Sequence, residues 1–362
     1  MIPFSRLLLA CALVWSGLGS VCVAAPIIKL ELDDHIYIGT PLVFNPEICW
    51  LATDAGAYHK VELGYVRQFR KLPGEFKPLS PRDLAKELRQ EHGRDREVQV
   101  SGQFVVVAPH GRAKLYGDLL KQVSTEFNGY FSRRNWRLPD CEYPLVVVVY
   151  GSKEEFDDHC RKTGYQTYAM LRGFYEPLSN RVLLYDGDHA RTHGEISSDV
   201  RDTLVHEAIH QLAFNRKLHS RINENPRWLV EGLATVLEAG LLSDGPRDDA
   251  TSRINRQRLE WFRNVAQKRR RGGIAEFIES GNQLLQSEPL DFYSEAWALT
   301  FYLSEQKRPE FVRYLKKIAD QSPTAAPLNA TEQIAQFQEF FGTDLNWVNV
   351  QMLRFIDGLD VR

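Results

Sequence analysis

The sequence predicts an α+β protein with most of its strands in the first half and most of its helices in the second. Three observations support this class. Residues 98–163 show a strand, helix, strand, helix order, which indicates a sheet with at least one parallel pairing. A hairpin pattern follows at residues 173–185. From residue 199 onward apolar residues recur at helical spacing, so the rest of the chain is expected to be mainly helical.

The first 25 residues have the pattern of a secretory signal peptide. Arg6 supplies a positive charge, residues 7–14 form an apolar run, and small residues lead up to Ala25. Cleavage is expected after Ala24 or nearby, because Pro26 disfavours a cut directly before it. No later stretch approaches the ~20 apolar residues that a membrane-spanning helix needs. The mature chain is therefore expected to be exported to the periplasm or the medium, without a membrane span.

Composition narrows the classes of partner. The 362 residues are 43% hydrophobic and 25% charged, with a net charge of −2, so no general attraction to nucleic acid is expected. The basic run at residues 268–271 is interpreted as a solvated helix end. Cys49, Cys141 and Cys160 remain after signal removal, and their wide spacing predicts neither a zinc ribbon nor a disulfide framework. At most one disulfide can form among these three cysteines.

A small β-rich N-terminal module is predicted at residues 26–97, and it contains no recognisable chemical motif. Its strands are expected at residues 27–32, 42–53 and 60–70. Ser80 as N-cap and Pro81 as first helical residue predict one helix, which should stop at Gly93.

The larger domain is predicted at residues 98–362. Its sheet is expected to use strands at 104–108 and 145–150, helices at 114–136 and 152–163, and hairpin strands at 173–175 and 181–185. The helical C-terminal part, residues 252–356, is expected to contain helices at 252–269, 274–280, 294–306, 309–319, 331–341 and 345–356.

An H-E-x-x-H motif occupies the predicted helix 199–215, with His206, Glu207 and His210 in its middle. Residues four apart share one face of a helix, so both imidazoles can bind one metal ion. Glu207 follows the first histidine and can act as general base on a metal-bound water. The apolar residues around the motif predict a helix that is buried on most sides.

A catalytic zinc usually takes a third protein ligand. Glu231 is the strongest candidate, because it is a carboxylate within the apolar predicted helix 227–239, where burial is costly without compensation. A salt bridge to Arg227 is the alternative explanation. Glu238 lies two turns further on the same face and could orient a ligand histidine, or it could face solvent.

Gly232 and Ala234, which follow Glu231, are small. They are expected to let this helix pack closely on the motif helix.

The combination of H-E-x-x-H with a later Glu-Gly-x-Ala segment resembles the gluzincin branch of the zincin metallopeptidases. The segment through Glu238 is similar to the aminopeptidase-N-like enzymes, although no Gly-x-Met-Glu-Asn motif occurs. The resemblance covers residues 206–238. It implies a zincin-like domain that holds one Zn²⁺ through His206, His210 and Glu231 and hydrolyses peptide bonds. The whole mature chain also resembles an exported bacterial family of unknown function with a peptidase-like domain.

In related gluzincins a tyrosine on a later helix assists the reaction, and Tyr293 has the corresponding position in the sequence. It is predicted to stabilise the oxyanion, with packing in an aromatic stretch as the alternative; Tyr175 on the hairpin is a weaker candidate. The hairpin at residues 173–185 either pairs with an extended peptide or has no ligand role. His189 and His193, in the loop before the motif helix, could supply a further ligand.

These observations predict an exported zinc metallopeptidase whose partner is a peptide or protein substrate. A non-catalytic binding or structural protein with a zincin fold is one alternative. A zinc hydrolase that acts on a non-peptide bond in the cell envelope is another.

Overall fold

The computed structural model describes residues 25–165, 171–187, 194–242, 253–266, 273–322 and 326–359. The chain divides into two compact units, of which the first ends at Leu79 and the second begins at Ser80. The predicted signal peptide, His189, His193 and the basic run at 268–271 lie outside the described residues.

The first unit is an antiparallel sheet with the strand order β4-β3-β2-β1-β5. The strands are β1 (Pro26–Glu31), β2 (Ile36–Phe44), β3 (Ile48–Ala52), β4 (Tyr58–Glu62) and β5 (Gln68–Glu75). The expected strand at 42–53 is two strands, because Asn45 Oδ1 accepts hydrogen bonds from the backbone N–H groups of Glu47 and Ile48, each at 2.8 Å, and so makes a turn. The expected strand at 60–70 is interrupted by the 3₁₀ turn Leu63–Tyr65.

Helix α1 (Pro81–His92) begins at its predicted cap, where the Ser80 hydroxyl accepts a hydrogen bond from the Asp83 N–H. It packs against β6 (Glu97–Ser101) and β7 (Phe104–Ala108) of the second unit. The division at Leu79 therefore precedes the domain boundary that the sequence predicts at residue 97. An amphipathic helix must bury its apolar face, but its own sequence does not specify which of two neighbouring sheets receives it.

The second unit contains a mixed sheet, as predicted for the larger domain, and its strand order is β6-β7-β8-β10-β9. Its other strands are β8 (Leu145–Tyr150), β9 (Gly173–Glu176) and β10 (Arg181–Tyr185), and its first two helices are α2 (Ala113–Ser132) and α3 (Lys153–Thr163). The β7–β8 and β8–β10 pairs are parallel, whereas β6–β7 and β9–β10 are antiparallel. The hairpin places β9 at the edge of the sheet.

The helical half follows the sheet, which confirms the predicted α+β class. It comprises α4 (Ser198–Asn215), α5 (Arg227–Leu242), α6 (Arg256–Ala266), α7 (Gly273–Ser287), α8 (Pro289–Gln306), α9 (Arg308–Ala319), α10 (Ala330–Phe341) and α11 (Leu345–Asp357). Helix α8 starts earlier than expected because Pro289 occupies its first turn, where the missing N–H has no cost. Among the described residues, no helix combines the length and apolar character needed to cross a bilayer.

The packing of α5 differs from the expectation in one respect. Gly232 faces α8, and a Cβ at this position would lie 2.1 Å from Thr300 Oγ1 and 2.5 Å from the Ala296 carbonyl oxygen. The glycine therefore permits the close approach of α5 to α8 and not to the motif helix α4. Helix α5 also packs on α4, and this contact brings the predicted ligands together.

Candidate metal centre

His206 and His210 of α4 and Glu231 of α5 converge on one point. The two histidine Nε2 atoms are 3.0 Å apart, and Glu231 Oε2 lies 3.4 Å from His206 Nε2 and 3.3 Å from His210 Nε2. In the part of the chain that the structure describes, this is the single group of three His, Cys, Asp or Glu residues whose donor atoms converge in this way.

The triangle of donor atoms has the size that zinc requires. Ligand atoms about 2.0–2.1 Å from a tetrahedral zinc are separated by roughly 3.3 Å, which the three measured distances approximate. Glu231 is 7% exposed, and no well-aligned hydrogen bond reaches its Oε2 from the described residues. A buried carboxylate oxygen without a donor is costly, and a metal ion at this point would remove that cost. The residues present therefore fit a single Zn²⁺.

Glu238 fixes the orientation of the first histidine. Its Oε2 lies 2.7 Å from His206 Nδ1. Because an ionised carboxylate only accepts hydrogen bonds, Nδ1 carries the proton, and the lone pair of Nε2 points toward the centre. Asn255 Nδ2 donates a hydrogen bond to the other oxygen of Glu238 at 2.9 Å, and so helps to hold the carboxylate that orients His206. No sequence motif marks Asn255.

The predicted alternative for Glu231 also has a basis in the structure. Arg227 Nη1 lies 3.9 Å from Glu231 Oε1, while Oε2 faces the histidines. The two carboxylate oxygens thus have different neighbours, so the contact with Arg227 does not compete with the donor role of Oε2.

The side chain of Glu207 reaches from the motif helix α4 to the edge strand β9. The backbone N–H of Tyr175 on β9 donates a hydrogen bond to Glu207 Oε2 at 2.7 Å. This bond shows that the edge of β9 borders the site. The Tyr175 hydroxyl, the weaker of the two tyrosine candidates, donates a hydrogen bond to Asn180 Oδ1 at 3.0 Å.

Tyr293, near the start of α8, lies beside His206. Their ring centroids are 6.4 Å apart in an edge-to-face arrangement. Burial raises the pKa of the Tyr293 phenol, and the charges of Glu231 and Glu207 raise it further, against the opposing effect of Arg258 and Arg227. The phenol therefore keeps its proton and can donate a hydrogen bond near the centre.

The charged groups of the site shift one another strongly. Burial lowers the pKa of His206, but its interactions with Glu231 and Glu238 outweigh burial, so the net shift is upward. For Glu231 burial acts to raise the pKa, and the neighbouring His210 and His206 lower it well below its usual range. Burial raises the pKa of Glu207. Because its pKa is lowered, the Glu231 carboxylate stays ionised between the two imidazoles.

His219 is a buried neighbour of the site that the sequence analysis missed. It is 2% exposed, and neither ring nitrogen has a hydrogen-bond partner among the described residues. Burial, followed by the charge of His210, lowers the pKa of His219 to about 3, so its ring is neutral. Its ring packs 5.2 Å from that of Phe214, and no sequence motif marks it.

The chain resembles a protein family of unknown function and several solved structures. A family described as "Protein of unknown function (DUF1570)" matches residues 201–325, about a third of the chain. Among solved structures, yeast LTA4 hydrolase in complex with bestatin is similar to this chain with a TM-score of 0.39 and 14% identity over 74% of this chain. The match covers 40% of the hydrolase, so this chain corresponds to less than half of its length. No curated protein matches the sequence.

The structure brings His206, His210 and Glu231 into mutual contact, and Glu238 joins this group through His206. Glu207 and Tyr293 lie beside this group, in contact with the edge strand and with His206, respectively.

Proposed function

We propose that this chain is an exported, zinc-dependent hydrolase of peptide bonds, of the gluzincin type. The convergence of His206 Nε2, His210 Nε2 and Glu231 Oε2 carries the proposal, because three donor atoms at these separations match a zinc site that keeps a position for a further ligand. When bound, Zn²⁺ supplies a Lewis acid and lowers the pKa of a water toward neutrality.

Each residue around the centre has a proposed role. Glu207, held by the Tyr175 N–H, takes the proton from the attacking water and later delivers it to the leaving amine. Tyr293 donates a hydrogen bond from its phenol to the substrate oxygen on which negative charge develops. Glu238 is a positioning residue, because it acts on the reaction through the orientation of His206.

The edge strand supplies the proposed contact with the substrate. Strand β9 pairs with β10 on one side and borders Glu207 on the other. An extended peptide can add to such an edge by main-chain hydrogen bonds, which bring its carbonyl groups alongside the site. The proposed partner is therefore a peptide or an unfolded segment of a protein.

A pair of variants tests the proposal. Glu207→Gln is expected to retain one zinc per chain and to lose turnover of a peptide library, because the base is removed and the donor atoms remain. Glu231→Ala is expected to lose zinc. If Glu207→Gln remains fully active, the assignment of the base is wrong.

The same assays separate the alternatives. Stoichiometric zinc without peptide cleavage in the wild-type protein would favour a hydrolase of a non-peptide envelope bond, or a binding protein that does not catalyse. Hydrolysis assays with ester and non-peptide amide substrates would then distinguish these two cases, because only the hydrolase would turn one of them over.

A further inference from the structure

Two arginines without a role in the proposed mechanism border the site, one beside Glu231 and one over the Tyr293 ring. Arg227 Nη1 lies 3.9 Å from Glu231 Oε1, and its side chain is 57% exposed. Arg258 of α6 places its guanidinium 5.1 Å from the centroid of the Tyr293 ring. Among the described residues, Arg258 forms no ion pair with a carboxylate, and its buried Nε has no hydrogen-bond partner.

Among the residues that the structure describes, the carboxylates neutralise the positive charge on this side of the site only in part. Glu231 directs Oε2 at the histidines, which leaves Arg227 with a contact at the outer limit of an ion pair. Arg258 has the face of an aromatic ring beside it instead of a carboxylate. The Arg258 guanidinium lies over the Tyr293 ring and that of Arg227 lies beside Glu231, so both border the same centre. A guanidinium offers a planar set of donors that matches a carboxylate.

An exposed apolar shelf continues from these arginines. It consists of Trp261, which is 39% exposed, and Leu290, which is 44% exposed. Trp261 lies one turn after Arg258 on α6, and Leu290 lies one turn before Tyr293 on α8, so the shelf shares the helix faces of those residues. The hydrogen bond from Trp261 Nε1 to Asp291 Oδ1, at 2.7 Å, holds the indole in place.

We infer that the site selects peptides that carry a carboxylate close to the scissile bond, bound by Arg258 and Arg227, with an apolar neighbouring side chain on the shelf of Trp261 and Leu290. This inference rests on the proposed peptide hydrolysis. The carboxylate has two sources in a peptide, an acidic side chain or a free C-terminus, and both present the same group to the two guanidiniums.

The test uses binding to the full-length, zinc-loaded Glu207→Gln protein, so the readout does not require turnover. Four versions of one phenylalanine-containing peptide combine a glutamate or a glutamine next to phenylalanine with a free or an amidated C-terminus. Titration calorimetry at low ionic strength is expected to show affinity about tenfold or more above that of the fully neutral peptide for the version with the recognised carboxylate. The pattern across the four peptides identifies the source of the carboxylate.

Further substitutions in the same background assign the effect to residues. Arg258→Gln and Arg227→Gln are each expected to reduce the preference for the carboxylate, and together to abolish it. Trp261→Ala is expected to lower the affinity for all four peptides by the same factor, so the ratios between their affinities stay unchanged. Arg82→Gln, an exposed arginine on α1, is the matched control and should change neither quantity. Zinc content and thermal midpoint show whether each variant is folded and loaded.

Equal affinity for the four peptides would overturn the inference, as would a preference that survives loss of both arginines. Cleavage of neutral and acidic peptides at equal rates by the wild-type protein would also overturn it, while the proposed function would stand. A carboxylate preference in binding without any cleavage by the wild-type protein would support the inference and contradict the proposed function.

Discussion

Replacement of Glu238 by alanine removes the carboxylate that orients His206 without touching any of the three donor atoms. The bond it removes joins His206 Nδ1 and Glu238 Oε2 at 2.7 Å, and both side chains are largely buried, at 17% and 16% exposure. A hydrogen bond of this kind to a charged group contributes about 1.5–3 kcal/mol. Loss of such a supporting group typically weakens metal affinity by roughly 10–100-fold. We therefore expect the zinc dissociation constant of Glu238→Ala to rise within that range.

Competition with a chromophoric chelator measures this dissociation constant directly. Asn255→Ala is the graded comparison. It removes the 2.9 Å hydrogen bond to the far oxygen of Glu238 and leaves the bond between Glu238 and His206 in place, although it also removes the bond that the Arg258 backbone N–H donates to Asn255 Oδ1. It should therefore weaken zinc binding by less than Glu238→Ala does. A dissociation constant for Glu238→Ala within about twofold of the wild-type value would refute the reasoning, since it would mean that His206 is oriented without Glu238.

Three further predictions concern stability and thiol chemistry. Gly232→Ala is expected to lower the free energy of unfolding by about 1–3 kcal/mol, measured by denaturant titration, because the added Cβ would overlap Thr300 Oγ1 at 2.1 Å. Asp186→Ala should cost about 3–5 kcal/mol in the same assay, because it leaves the buried Arg112, now 3.0 Å from Asp186, without its carboxylate; a loss below about 1 kcal/mol would contradict this. Burial raises the pKa of the fully buried Cys49 thiol to about 11, so alkylation at this residue should be negligible near pH 8 in the native protein and rapid after unfolding, as mass spectrometry of the labelled peptides can show.

The proposed metal ligands could be predicted from sequence because local rules determine their geometry. A spacing of four places His206 and His210 on one helix face wherever the helix lies. The cost of burying a carboxylate singles out Glu231 within its apolar helix, and a spacing of two turns places Glu238 on the same side. In the structure the donor atoms of His206, His210 and Glu231 lie close together, and Glu238 contacts His206.

The residues around the proposed ligands could not be predicted, because their positions depend on contacts between distant segments that no local sequence pattern specifies. Asn255 and Arg258 reach the site only because α6 approaches α8, and His219 is buried without any motif. The misassigned packing of Gly232 has a simpler reason. Each helical residue is rotated by about 100° from the one before it, so the glycine after Glu231 cannot share the face that Glu231 turns toward α4.

The metal content of the purified protein tests the central claim most directly. We expect one zinc per chain in the wild-type protein and in Glu207→Gln, and loss of that zinc in Glu231→Ala with the fold retained, as judged by circular dichroism. A wild-type protein that binds no zinc after dialysis against the metal would contradict the account, as would a Glu231→Ala variant that binds zinc as tightly as the wild-type protein.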